Sequence, residues 1–284
     1  MKKRNIIYIV IALICIFAIF AGVYYEVFKD KSKKKNDNQN NQTINEIVNQ
    51  QETIEEIKEE FESIFINKFD VQGYEIEDIK KIPSYDDKDI VFSATNLKKE
   101  EEGYNINVNI PVINIYEETT LGYNKITNQY FINKANSIIK NSQDFTIYNI
   151  DYAAYLNDKI LSVVIKSTLK EGNNPQRVIV QTYNYNIETK EEVKLNDVLE
   201  SKGIDLKEVN KKIERQVKEA NKQAEAISEA LIESGQSIYK RDINNAMYVT
   251  DNVNYFFIGK DGQIYIIYPY GNSNFTSEID IIKI

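Results

Sequence analysis

The sequence predicts an α+β fold in which antiparallel sheets pack with two helices, preceded by a transmembrane helix and an amphipathic helix. Three patterns predict it: an uncharged segment near the amino terminus, long stretches with apolar residues three and four positions apart, and many short alternating segments separated by turn residues. Strands in hairpins, with helices segregated between them, are typical of α+β proteins.

The uncharged segment comprises residues 5–25 and follows Lys2, Lys3 and Arg4. Because a helix rises ~1.5 Å per residue, this segment can cross a hydrocarbon core of ~30 Å. We predict an uncleaved membrane anchor, with a cleaved signal peptide as the alternative. Basic residues flank the segment on both sides, so their count does not decide the orientation. We expect the short charged tail to stay in the cytoplasm and the bulk of the chain to be extracytoplasmic.

The segment after the anchor is polar and low in complexity at residues 29–43, which predicts a flexible linker. Residues 44–70 then place apolar side chains at three- and four-residue spacings, which predicts an amphipathic helix. We favour a helix that packs on its own domain. The alternative is a coiled-coil stalk that forms a homodimer, although Gln50 and Gln51 interrupt its seam.

Strand patterns begin after Gly73. Residues 74–82 and 88–97 are predicted edge strands, and residues 104–115 alternate apolar and Asn side chains, so one face is buried and the other is wet. A second pair of strands is joined by KEGNNPQ, residues 170–176, whose turn residues predict a hairpin.

Two long helices are predicted, one over residues 123–141 and one that begins at Asp205 with Glu208 in the capping-box position. Near the carboxyl terminus, Asp261 and Gly262 are the turn pair of a last hairpin, which a final strand follows.

The segment TYNYNIETKEEVKLNDVL, residues 182–199, combines three of these patterns. Its alternating tyrosines predict a strand, its polar centre a turn, and its end a short helix capped by Asn196 or Asp197. We therefore interpret it as framework rather than as part of an active site.

The residue composition excludes several kinds of catalytic site. The chain has no His, and its single cysteine, Cys15, lies in the uncharged segment, so the chain alone can form neither a Ser-His-Asp triad nor a His-ligated zinc site nor a disulfide. The tightest acidic cluster is Asp86, Asp87 and Asp89, which we interpret as a solvated turn rather than a calcium site. We expect no catalytic residues, no metal and no cofactor.

The net charge constrains the partners. From Asn36 onward the chain carries a net charge of −14. Such a surface repels nucleic acid and attracts basic partners, mainly by steering their approach. We expect no nucleic-acid binding, and a basic protein such as lysozyme fits this charge.

The order of the motifs resembles a known family. INVNIPVIN, FINKANSIIK, LSVVIKSTL, the segment at 182–199 and YFFIGKDGQIYIIYPY resemble the pair of extracytoplasmic domains of unknown function in RsiV-type lysozyme-sensing anti-sigma factors. The same pair precedes some peptidoglycan deacetylase domains. The resemblance covers about residues 74–284 and implies a sensory or ligand-binding domain. We expect neither an anti-sigma role nor deacetylation, since only residues 1–5 precede the anchor and no deacetylase motif is present.

Two loops depart from the pattern of that family, EGNNPQR at residues 171–177 and PYGNSNF at residues 269–275. Ligand contacts are expected on these loops, where aromatic and amide side chains can supply a recognition surface. The candidate binding residues are Asn173, Asn174, Arg177, Tyr270, Asn272 and Phe275.

The sequence thus predicts a membrane-anchored extracytoplasmic domain, not an enzyme, that binds a lysozyme-like protein or wall glycan (peptidoglycan). The alternatives are a carboxylate-dependent cell-wall hydrolase and a structural envelope protein. The predicted organisation is a cytoplasmic tail (1–5), an anchor (6–28), a linker (29–43), an amphipathic helix (44–70) and two α+β subdomains (74–150 and 151–284).

Overall fold

The computed structural model describes residues 52–73, 76–80, 82–84, 87–226, 240–270 and 278–284. The predicted tail, anchor and linker lie outside these residues. Within them, no helix combines the length and the apolar character that a membrane crossing needs. Residues 51–284 group into one compact unit.

The described part of this unit is a mixed α+β structure. Its helices are α1 (Ile54–Ser63), α2 (Ile76–Ile79), α3 (Glu118–Asn141), α4 (Leu195–Ser201) and α5 (Leu206–Ala226). Its strands are β1 (Lys68–Gln72), β2 (Val91–Glu101), β3 (Tyr104–Ile113), β4 (Thr146–Asn157), β5 (Ile160–Glu171), β6 (Arg177–Asn186), β7 (Glu191–Glu192), β8 (Phe256–Ile258), β9 (Ile264–Tyr270) and β10 (Glu278–Lys283).

Helix α1 begins with a capping box. The Glu56 amide donates to Thr53 Oγ1 at 3.2 Å, and the Thr53 amide donates to Glu56 Oε2 at 2.8 Å. The helix ends at Ser63, so the predicted helix over 44–70 is wrong in its last turns. Asn67 adopts a left-handed φ of 58°, and its backbone N–H donates to Tyr152 O at 2.9 Å. The chain then enters β1. Strand pairing therefore outweighs the helical spacing here.

The large sheet has the strand order β2-β3-β4-β5-β6-β7, and β1 also pairs with β4. The predicted hairpin β5–β6 is confirmed as an antiparallel pair, and the strands predicted over 88–97 and 104–115 also pair antiparallel as β2 and β3. The prediction of antiparallel sheets is confirmed for the other strand pairs but is wrong for β3 and β1, which both run parallel to β4. Helix α3 makes the crossover that a parallel β3–β4 pair requires. The edge strand predicted over 74–82 is also wrong, since α2 lies there.

One edge of β4 is shared by two strands. Thr146–Ile150 pairs with β3, and Ala153–Asn157 pairs with β1. Asp151 lies at the branch, where its Oδ1 accepts from the side chains of Asn67 at 2.7 Å and Asn109 at 3.0 Å. These bonds satisfy the polar groups exposed where the two strands diverge. The predicted boundary at residues 150 and 151 therefore falls within β4.

The two faces of the large sheet pack against different elements. Helix α3 covers one face, where Tyr123 stacks on Tyr183 with ring centroids 4.2 Å apart. Helix α1 packs on part of the other face, together with the small sheet that β8, β9 and β10 form. Ile57 and Phe61, which are 2% and 0% exposed, join α1 to this core. The packing of α1 on its own domain is thus observed.

The small sheet has the strand order β10-β9-β8. Its other side packs against α4 and α5. The buried pair Arg241 and Asp280 ties the segment after α5 to β10, with Nε–Oδ2 and Nη2–Oδ1 distances of 2.5 and 2.9 Å. The predicted final hairpin is confirmed, and its turn residues Asp261 and Gly262 adopt φ values of 58° and 74°.

The segment at 182–199 is framework, as predicted. Strand β6 ends at Asn186, the chain turns through Lys190 at a φ of 64°, and α4 follows. The predicted cap at Asn196 or Asp197 is wrong, because the helix begins at Leu195 with Lys194 as its cap residue. This earlier start places Leu195 in the core with Val198 and Leu199.

Candidate functional site

The turn between β5 and β6 contains two of the predicted binding residues, Asn173 and Asn174, and a third, Arg177, is the first residue of β6. Gly172 follows β5 with a φ of 51°, and its amide donates to Phe145 O at 3.0 Å. A Cβ at Gly172 would lie 3.0 Å from Asp144 Cβ, so glycine favours the close packing of the turn against the segment that enters β4. The turn is therefore anchored to the sheet by its backbone.

A groove of about 330 Å³ lies between this turn and the carboxyl-terminal end of α3. Its lining is mostly polar and comes from α3, from the segment before β4 and from the turn. The residues that line it are Lys134, Ser137, Ile138, Asn141, Ser142, Gln143, Asp144, Thr146, Glu171 and Asn174.

Short hydrogen bonds hold the wall of the groove. Ser142 Oγ donates to Asp144 O at 2.7 Å, and Thr146 Oγ1 donates to the same carbonyl at 3.0 Å. On the turn, Lys170 Nζ donates to Asn174 O at 2.5 Å. Both sides are thus fixed before a ligand arrives, which lowers the ordering cost of binding.

Glu171 is the charged centre of the groove. Its carboxylate accepts from Lys134 Nζ at 3.2 Å and also from Arg177. Burial alone would raise the pKa of Glu171, but the two cations outweigh it and hold that pKa below its usual value. The Arg177 side chain remains 54% exposed, so part of its guanidinium faces solvent.

The predicted binding residues are therefore divided. Asn173 and Asn174 are exposed on the anchored turn, where Asn174 lines the groove, and Arg177 is exposed at the start of β6. Tyr270 ends β9, but the position of its side chain is not described, and Asn272 and Phe275 lie outside the described residues. Sequence reasoning did not foresee the α3 wall, because Lys134 and Asn141 resemble any solvated helix residues.

A second cavity, of about 640 Å³, lies between β1 and the segment that leads into β2. Apolar side chains that include Phe69, Val71 and Ile90 line it, together with Asp87 and Asp89. Asp86, the third residue of the acidic cluster, lies outside the described residues. In the part of the chain that the structure describes, no group of three carboxylate or thiol side chains could hold a metal ion. The sequence did not indicate this cavity, since it depends on the branch at β4.

Comparison with known proteins yields distant neighbours among the solved structures. No family model matches the chain. No curated protein matches it either. A DUF3298 family protein from Pseudomonas aeruginosa matches with 11% identity and a TM-score of 0.30, over 41% of this chain and 56% of that one. A second member of that family, from Bacteroides fragilis, matches with 12% identity and a TM-score of 0.25, over 58% and 74%.

These structural neighbours belong to a family of uncharacterised domains, and the first is matched over little more than half of its length. Likenesses at these scores assign neither a family nor an activity to this chain. Neither neighbour is described as an anti-sigma factor, so the resemblance to the RsiV-type domains stays a prediction.

Proposed function

We propose that this protein is a membrane-anchored extracytoplasmic domain that binds a ligand at the cell envelope and performs no chemistry on it. The observation that supports this proposal most is the anchored turn at residues 172–176, whose groove and exposed amides are held by the sheet. Rigid presentation of exposed polar side chains suits recognition.

The proposed ligand is a lysozyme-like basic protein or peptidoglycan. The net charge of −14 from Asn36 onward favours the approach of a cationic protein. Beside the groove, the Arg177 side chain pairs with Glu171 and stays 54% exposed, so its guanidinium suits a carboxylate of either ligand. Asn173 and Asn174 add neutral donors and acceptors beside it.

Affinity measurements on the full chain test this proposal. We expect retention on immobilised lysozyme, or saturable binding in a titration with muropeptides. Arg177→Ala combined with Asn174→Ala should weaken that binding about tenfold, because a charge-assisted contact and a neutral one are lost together. Arg215→Ala on the exposed side of α5 is the matched control and should bind like the wild type.

The proposal fails if the wild type binds neither lysozyme nor muropeptides, or if the double variant and the control bind equally well. The hydrolase alternative has a separate readout, because Asp87 and Asp89 line the larger cavity. Release of soluble fragments from purified peptidoglycan, abolished by Asp89→Asn, would replace the binding proposal with that alternative.

A further inference from the structure

The large sheet has a polar area on the face opposite α3. On β3, Asn105 and Asn107 alternate with buried Ile106 and Val108. The strand register places Asn107 beside Asn149 of β4 and Asn109 beside Asn96 of β2. We call the four side chains Asn96, Asn105, Asn107 and Asn149 the asparagine face.

The amides of the asparagine face lack partners within the described part of the chain. None of the four side chains makes a hydrogen bond to a described residue, whereas neighbouring Asn109 donates to Asp151 Oδ1 at 3.0 Å. Asn105, Asn107 and Asn149 are half-buried and Asn96 is exposed. None of their amide atoms is among the buried polar atoms without a partner, so water reaches them, and a ligand with matching donors and acceptors can replace that water.

The spacing of these amides is set by the sheet. Neighbouring strands lie about 4.8 Å apart, and alternate residues of one strand about 7 Å apart, so the side chains form a regular grid. Each amide offers two donors and one acceptor oxygen. The row through Asn107 and Asn149 continues to Thr168 on β5, which adds a hydroxyl.

The charges that flank this area are of both signs, so it shows no strong preference for a charged ligand. On β2, Lys98 lies beside Asn107 and Glu100 beside Asn105, and on β5 Lys170 lies beside Ile147. A nucleic acid would require a basic surface, and the centres of protein interfaces are rich in Tyr, Trp and Arg. The asparagine face offers amides instead, with the half-exposed side chain of Ile147 beside Asn105 as an apolar contact.

We propose that the asparagine face binds a neutral glycan whose sugars carry acetamido groups. Each Asn amide can both donate to and accept from an acetamido group, and the remaining donors can bond ring hydroxyls. This inference rests on the proposed function and deepens it, because it names a ligand class for a surface outside the groove.

A titration with a linear oligomer of β-1,4-linked N-acetylglucosamine tests the inference. The full chain is used, in a detergent without a sugar headgroup so that the detergent does not compete. Wild type should bind saturably, and Asn107→Ala with Asn149→Ala should weaken binding about tenfold, because each lost hydrogen bond contributes a few-fold. Asn133→Ala, an exposed Asn on α3, is the matched control and should bind like the wild type.

Salt provides a second readout. Binding of an uncharged oligomer should be unchanged between about 0.05 M and about 0.5 M salt, because no ion pair forms. The inference is overturned if the wild type does not bind the oligomer, if the double variant binds as well as the control, or if salt abolishes binding. Binding to lysozyme or to muropeptides in that event leaves the proposed function standing, whereas a wild type that binds none of the three ligands overturns both proposals.

Discussion

The side chains on the two faces of β3 have different roles. Ile106, Val108 and Ile110 are fully buried beneath α3, whereas Asn105 and Asn107, one residue away from them, face outward from the opposite side. A single strand therefore contributes both to the stability of the fold and to a surface for recognition. Substitutions on the two sides should separate these contributions.

The largest loss of stability is expected where α1 packs on the face of the large sheet opposite α3. Phe61 is fully buried, and its ring lies 5.0 Å from that of Phe65 and 6.1 Å from that of Phe257. Phe61→Ala should lower the free energy of unfolding by about 3–5 kcal/mol, because it removes apolar burial and leaves a cavity. Urea denaturation followed by circular dichroism measures this loss, and a change below about 1 kcal/mol would show that α1 is dispensable.

The inner side of β3 should be nearly as sensitive. Ile106→Ala removes a side chain that is completely buried under α3. We expect the free energy of unfolding to fall by about 2–5 kcal/mol. A conservative Ile106→Val variant, expected to lose about 1 kcal/mol, is the control for the size of the cavity.

A smaller effect is expected at the start of α1. Thr53→Ala removes the side-chain acceptor of the capping box and should cost about 1 kcal/mol. Thr53→Ser retains the hydroxyl and should cost less. Equal stability of the Ala variant and the wild type would show that the first turn of α1 adds nothing to the fold.

The weakest of these effects depends on pH. Glu60 accepts from Tyr265 Oη and from Lys283 Nζ, both at 2.7 Å. Burial opposes ionisation, but these two donors outweigh it and lower the pKa of Glu60. A lowered pKa stabilises the fold above the unfolded-state pKa of about 4.3, and this contribution disappears as pH falls through the folded-state value.

Glu60→Gln should therefore be less stable than the wild type at pH 7, and the difference should shrink as the pH is lowered below about 4. Urea denaturation of both proteins at neutral and acidic pH measures it. A difference that is constant with pH would show that the Glu60 charge does not contribute.

The strands were predictable because their side chains alternate over a sheet with one buried face. The alternation in residues 104–110 and the turn residues at 172–175 led to the right strands and the right hairpin. The parallel pairing of β3 with β4 was not predictable, since alternation gives the buried face of a strand but not its neighbour.

Helix details were predicted less well, because spacing indicates an apolar stripe without showing where the covering sheet ends. The three- and four-residue spacing in residues 123–141 predicts Ile126 and Tyr130 on the buried stripe of α3, yet they are 67% and 57% exposed, and Thr127 is buried instead. In α1, the spacing continued past Ser63, but the pairing of β1 with β4 ended the helix.

The candidate site was predictable in part. The hairpin residues Asn173, Asn174 and Arg177 were identified from sequence, but the wall supplied by α3 depends on the packing of distant segments. The asparagine face had a signal in the sequence, the Asn alternation on β3, but its extension to Asn149 required the parallel register.

The outward orientation of the asparagine face is tested most directly by the stability of one variant, Asn107→Ala. An outward-facing side chain without a partner among the described residues should contribute little, so the free energy of unfolding should stay within about 0.5 kcal/mol of the wild type. A loss of about 2 kcal/mol or more, comparable to that of Ile106→Ala, would show that this side of β3 is also part of the core and would contradict the account.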